Sequence, residues 1–271
     1  MLLNSFKVII IGSAVIYCLA MLAMFIFQRN LMYFPTNKNP LPVDVGLDGV
    51  TVDDLPTPDG ETIVVWHAPA QQDAPTVLFF HGNAGEIGDR ADRFAAYRAA
   101  GFGVMFVSWR GYGGSTGAPT EDGILMDAKT SYDWLVSNGV DPLKIAVVGE
   151  SLGTGAAVRI ASEQTVGALV LGAPYTATSD VAAQRFPWLP VRILMKDQFR
   201  SIDYVGNVAA PTLVLHGTAD QVIPYQFGVQ LHDAINAPKT FVSFDGQGHE
   251  ILYQTNTYME EIAFLSGVFS D

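Results

Sequence analysis

Cysteine is nearly absent: Cys18 stands alone in 271 residues. One cysteine excludes an intrachain disulfide and any cysteine-rich metal site. Basic residues are also scarce, 15 Lys and Arg against 27 Asp and Glu, for a formal net charge of −12. A nucleic-acid partner is therefore not expected, because phosphate recognition concentrates positive charge. The surplus acid reads as solvated surface. Charged residues of either sign make up only 15% of the chain while hydrophobic ones reach 49%, enough for a sizeable core. Internal repeats and low-complexity tracts are missing as well, which removes solenoid and array architectures.

Charge disappears altogether from VIIIGSAVIYCLAMLAMFIF, Val8 to Phe27. A helix of that length covers roughly 30 Å, the thickness of a bilayer core. A cleavable signal has a shorter apolar region and a small-x-small exit, and Ala20-Met21-Leu22-Ala23 is a poor cleavage site. Tyr17 stands where a lipoprotein signal places a small residue before cysteine. The run is read as an uncleaved, single-pass membrane anchor over residues 1–30. Lys7 on one flank is balanced by Arg29 and Lys38 on the other, so charge sets no orientation. Residues 31–47, rich in Pro and Asn, read as a linker to a catalytic domain over 48–271.

From Val50 onward, short apolar runs alternate with longer amphipathic stretches. Strands are expected at Val50–Asp53, Thr62–His67, Thr76–Phe80, Gly103–Val107, Ile145–Val148, Ala168–Leu171, Pro211–Leu215 and Thr240–Phe244. Helices are expected at Asp89–Ala100, Glu121–Asn138, Leu152–Ser162, Pro224–Ile235 and Ile251–Phe269. The turn TPDGE pairs the first two strands as a hairpin. The remaining alternation calls for an α/β fold, a mostly parallel eight-stranded sheet covered on both faces. Residues 175–204, with RFPWLPVRILMKDQF, break the rhythm and read as a small lid.

Chemistry is expected beyond the carboxyl ends of the strands, where open α/β sheets bind ligands. Four clusters fall there. VVGESLGTG sets Ser151 between Gly149 and Gly153, either a tight turn or a nucleophile on a strand-to-helix elbow. HGNAG follows the third strand, LHGTADQVIP puts Asp220 past the seventh, and DGQGHEILY puts His249 past the eighth. The order Ser151, Asp220, His249 favours the elbow and a Ser-His-Asp triad. The backbone amides of Asn83 and Leu152 are candidates for an oxyanion hole. Gly82 beside the first of these amides, and Tyr175 and Trp188 in the lid, are expected to contact substrate. His81 and His216 read as structural, His67 and His232 as surface or strand-end residues, and Asp245 as a minor rival to Asp220.

Taken together, HGNAG, RGYGGSTGAPTEDG, GESLGTGAA, LHGTADQVIP and GHE resemble the membrane-anchored α/β hydrolases grouped with serine aminopeptidase-type domains and related to the mammalian α/β-hydrolase-domain depalmitoylases. The likeness extends over nearly the whole chain, including QRNLMYFP after the anchor. It implies the α/β-hydrolase fold, a triad falling on Ser151, Asp220 and His249, and hydrolysis of acyl esters or thioesters. Two departures stand out. Ser108-Trp109-Arg110 replaces the Asp-Tyr-Arg common in such proteins, and is expected to reshape one wall of the pocket. No cysteine cluster precedes the domain, which weakens the depalmitoylase parallel.

The expected activity is therefore a serine hydrolase acting on a small, lipid-like acyl ester or thioester through an acyl-enzyme, with no metal and no organic cofactor. An aminopeptidase or amidase of the same fold and a non-catalytic membrane-anchored scaffold are the alternatives. A free amine would need an acidic pocket, and a decayed enzyme would have lost a triad member or an elbow glycine.

Overall fold

Five segments are buried at every position: β3 (Thr76–Phe80), β4 (Gly103–Val107), β5 (Ile145–Glu150), β6 (Ala168–Gly172) and β7 (Thr212–Gly217). Such continuous apolar runs suit strands covered on both faces, and in the computed structural model, which describes residues 2–36 and 38–270, they form the parallel centre of one sheet. The antiparallel hairpin β1 (Thr51–Pro56) and β2 (Thr62–Ala68) closes one side, β2 running antiparallel to β4. β8 (Lys239–Phe244) pairs in parallel with β7 at the other edge. The order is β1-β2-β4-β3-β5-β6-β7-β8.

Alternation along the strands divides the core in two. Leu78 and Phe80 of β3 pack under α3 (Glu121–Ser137), α4 (Gly153–Glu163) and α7 (Tyr225–Asp233), whose Ile124, Ala157 and Leu231 join the same cluster. Val77 and Phe79 face the opposite layer, where α2 (Ala91–Ala99) supplies Phe94 and Tyr97, and α8 (Thr255–Val268) supplies Leu265.

Two helices start later than their sequence pattern suggests. Asp89 accepts a hydrogen bond from the Glu86 backbone at 2.9 Å, which closes a 3₁₀ turn over Ile87–Arg90 before α2 begins. The stretch expected to open the last helix at Ile251 is a 3₁₀ turn, His249–Tyr253, ended by extended Gln254. Residues 175–204, the segment expected to be a lid, contain α5 (Thr178–Arg185) and a single turn, α6 (Val191–Leu194), separated by Pro187 and Pro190.

α1 (Leu2–Met32) is one uninterrupted helix, long and apolar enough from Ser5 to Met32 to cross a membrane. Its final turns lie against the lid and the domain. The segment after it is packed too: Tyr33 is buried in the core, and the Phe34 amide donates to the Asn83 carbonyl at 2.9 Å.

Candidate active site

Ser151 sits at the turn between β5 and α4 with φ of 50°, while neither flanking glycine has positive φ. A left-handed serine costs on the order of 1–3 kcal/mol and must be held by its surroundings. Here its amide donates to the Gly172 carbonyl at 2.9 Å, and its carbonyl accepts from the Thr154 amide at 3.0 Å and the Thr154 hydroxyl at 2.6 Å. The glycines serve clearance instead. A Cβ on Gly149 would lie 2.7 Å from the Gly153 carbonyl, and one on Gly153 would overlap the Phe80 carbonyl. They let α4 close onto β3 and β5, and the strained conformation falls on the serine.

The loops after β7 and β8 bring two more groups to this turn. His249 Nε2 lies 3.1 Å from Ser151 Oγ, and His249 Nδ1 lies 2.7 Å from Asp220 Oδ2. With the proton on Nδ1 donated to the carboxylate, Nε2 is left as acceptor for the serine hydroxyl. Asp220 Oδ1 accepts the Val222 and Ile223 amides at 2.8 and 2.9 Å. Burial pushes the Asp220 carboxyl up, but hydrogen bonds from His216 and His249 outweigh it and hold the pKa well below the usual carboxylate range. Asp245 instead accepts from the Thr218 hydroxyl at 3.2 Å, so it takes no part in this chain of contacts.

The loop after β3 supplies Asn83. Its carbonyl accepts from the Phe34 amide and the Tyr112 hydroxyl, and its side-chain amide donates to the Met32 carbonyl at 2.8 Å. The backbone N–H groups of Asn83 and Leu152 have no acceptor among the described residues, and both residues border the same cavity as Ser151. That cavity holds about 260 Å³ and has a mainly apolar wall.

Of the three residues expected to contact substrate, only Tyr175 lines the cavity, with its hydroxyl donating to the Leu152 carbonyl at 2.9 Å. Gly82 lies behind the wall, its amide 3.3 Å from Glu150 Oε1. Trp188 lies outside it, 55% exposed, with its carbonyl accepting from the Tyr17 hydroxyl. Trp109 does not form a pocket wall either: it is buried against Phe80, and its indole N–H donates to the His81 carbonyl at 3.0 Å. His81 is structural, bonded through Nδ1 to the Gly82 carbonyl, and burial pushes its pKa down to about 3. His216, fully buried, uses Nε2 on the Ile223 carbonyl at 2.9 Å and backs Asp220.

A buried ionic cluster behind Ser151 has no counterpart in the sequence reading. Glu150 Oε1 accepts from Arg90 and Oε2 from Arg93, whose guanidinium also reaches Glu261. Burial opposes the charge on Glu150, yet the two arginines hold its pKa below the ordinary value. The available signal was a carboxylate ending the wholly apolar strand IAVVGE, because a buried acid requires cationic partners.

Comparison with known proteins agrees with this architecture. Residues 75–198 match the family described as the alpha/beta hydrolase fold, and residues 193–263 match the TAP-like protein family. An uncharacterized protein of Mycobacterium tuberculosis strain H37Rv is 38% identical, over 83% of this chain and 82% of its own length. The lysophosphatidylserine lipase ABHD12 of Danio rerio is 28% identical, over 82% of this chain and 70% of its own. Among solved structures, the Pyrococcus furiosus esterase Pf2001 superposes with a TM-score of 0.71 at 18% identity, covering 87% of this chain and 98% of its own.

Proposed function

Because the chain belongs to the α/β-hydrolase family, we propose that it is a membrane-anchored serine hydrolase that cleaves carboxylic ester or thioester bonds of lipid-like acyl substrates. The observation that carries this reading is the hydrogen-bonded series Ser151–His249–Asp220, at 3.1 and 2.7 Å, beside an apolar cavity. Ser151 Oγ attacks the acyl carbonyl carbon as His249 Nε2 takes its proton. Asp220 holds the imidazole with Nδ1 protonated and stabilises the imidazolium that forms. The amides of Asn83 and Leu152 donate to the oxygen that becomes negative, and each such donor is worth about 3 kcal/mol of barrier. His249 returns the proton to the departing alkoxide or thiolate. Water, deprotonated by the same nitrogen, then releases the acid and restores Ser151.

The cavity favours esters over aminopeptide substrates. Its lining among the described residues contains no carboxylate to receive a free ammonium group, and its ionisable side chains other than tyrosine are limited to Arg185. α1 serves as the anchor, since Ser5–Met32 is long and apolar enough to span a bilayer. The lysophosphatidylserine lipase among the relatives fits an acyl substrate of this kind.

The test is labelling of the full-length protein with a fluorophosphonate, alongside p-nitrophenyl butyrate hydrolysis. Modification at Ser151, with turnover lost in Ser151→Ala, is the expected result. Most of the activity surviving in that variant would remove the assignment.

A further inference from the structure

The anchor helix does more than tether the domain. Met21, Met24, Phe25, Gln28, Leu31 and Met32 of α1 all border the cavity that opens beside Ser151. Gln28 is the one polar member, and lid backbone satisfies it: its Nε2 donates to the Leu194 carbonyl at 3.3 Å and its Oε1 accepts from the Lys196 amide at 2.7 Å. The wall that α1 presents to the cavity is therefore apolar.

α1 is fastened to the lid along this length. Arg29 pairs with Asp197 at 2.8 and 3.0 Å, and Lys196 Nζ stands 4.5 Å from the Phe25 ring centroid. Further along, the Tyr17 hydroxyl donates to the Trp188 carbonyl at 2.8 Å. Tyr17 lies inside the uncharged run, and the twelve residues from it to Arg29 correspond to ~18 Å of helix. With Arg29 and Lys196 at the headgroup level, the Trp188 end of the lid lies at acyl-chain depth in a core ~30 Å thick. The surfaces outside the cavity agree: Leu22, Ile26, Trp188 and Ile193 are exposed, Ile193 by 84%. Apolar side chains this exposed beside a spanning helix are covered by lipid.

We propose that α1 is a substrate-binding element: the face carrying Met21, Met24 and Met32 forms one wall of the acyl site, and a single acyl chain passes from the surrounding leaflet between α1 and the lid to bring its ester to Ser151. The proposal rests on the serine-hydrolase reading above. Its occupant is the acyl chain of a membrane ester, because the cavity runs from the serine at its base to residues at bilayer depth.

The test uses full-length protein in phosphatidylcholine vesicles with p-nitrophenyl palmitate and p-nitrophenyl butyrate, and reads the ratio of their kcat/KM values. Met24→Trp fills the wall and lowers the palmitate-to-butyrate ratio about tenfold, the equivalent of roughly two buried methylenes. Met24→Ala opens the wall and raises that ratio. Ile26→Trp, nearby on α1 but turned to lipid, leaves it at the wild-type value. A ratio unmoved by both Met24 variants, or moved equally by Ile26→Trp, overturns the proposal. Butyrate turnover that persists in Ser151→Ala overturns instead the hydrolase reading on which it stands.

Discussion

Glu150 precedes Ser151 in the chain and is fully buried with two arginines. Glu150→Gln removes its charge and keeps its shape. Oε1 receives Arg90 Nε at 3.1 Å, Arg90 Nη2 at 2.5 Å and the Gly82 amide at 3.3 Å, while Oε2 receives Arg93 Nη1 at 3.1 Å. Both guanidiniums are 3% exposed, so water does not replace the lost carboxylate. Glu261, with Arg93 Nε 3.6 Å away, is then the one buried acid of the cluster facing two positive charges, and the half-exposed Asp89, 3.7 Å from Arg90 Nη1, compensates little. Breaking a buried pair from one side costs about 3–5 kcal/mol, because the other charge is left uncompensated. For a chain of this size that corresponds to a fall in Tm on the order of 10 °C. Differential scanning fluorimetry of the detergent-solubilised protein measures it. Glu150→Gln combined with Arg90→Met restores the balance, one arginine to one glutamate, and should melt above the sum of the single losses. The cluster also holds Gly82, the residue before Asn83, so butyrate turnover should fall through kcat more than through KM. If Glu150→Gln melts with wild type, or the double variant loses the full sum, the carboxylate is not what stabilises these arginines and the reasoning fails.

Asp220→Asn keeps the loop after β7 but offers an amide where His249 Nδ1 donates at 2.7 Å. The imidazole then favours the tautomer with Nε2 protonated, and kcat for p-nitrophenyl butyrate should drop by about 10⁴, while fluorimetry shows a folded protein. His81 carries a pH dependence of stability, with a folded pKa of about 3 against an ordinary 6.5. The unfolded chain takes up this proton between those values and the folded one does not, so the contribution of His81 to stability is greatest above pH 6.5 and falls as pH drops toward 3. The loss from this group at pH 5 is about 2 kcal/mol, and it disappears in His81→Asn when Tm is compared between pH 7.5 and pH 5.

The five central strands were legible because the signal is local, since a sheet covered on both faces requires continuous apolar runs such as TLVLHG, and the edge hairpin β1–β2 was legible from its turn TPDGE. The three residues that the structure hydrogen-bonds in series carried a related signal. Ser151 follows β5 at once, and Asp220 and His249 lie in the short loops after β7 and β8, so chain order placed them at one end of the sheet. What stayed hidden depends on pairings across the chain. Nothing near Gln28 shows that its amide serves the carbonyl of Leu194, 166 residues away, or that Asn83 reaches back to Met32. Hydropathy separates an anchor from a domain by composition, and it treats the Met residues of α1 as lipid-facing whether or not they also line a cavity. The helices of residues 175–204 were hidden by their shortness, since the eight residues of α5 and the four of α6, parted by Pro187 and Pro190, are too few for a helical period to emerge.

The two ends of the cavity are built from different materials, and the difference bears on selectivity. At its base, Ser151 is held by backbone bonds, Asp220 by two amides and two histidines, and the neighbouring strand end by a buried ionic cluster. Charge-assisted bonds of this kind fix atoms closely, as an attacking oxygen and a developing oxyanion require. Away from the base, Met21, Met24, Met32 and Met195 line the wall, and methionine adapts its shape at little cost. Under the proposed hydrolase reading, a site so arranged holds an ester carbonyl in one place and lets the chain behind it vary. On that proposal, discrimination between acyl chains comes from the length of wall that α1 and residues 175–204 share, and selection at the carbonyl comes from the rigid base.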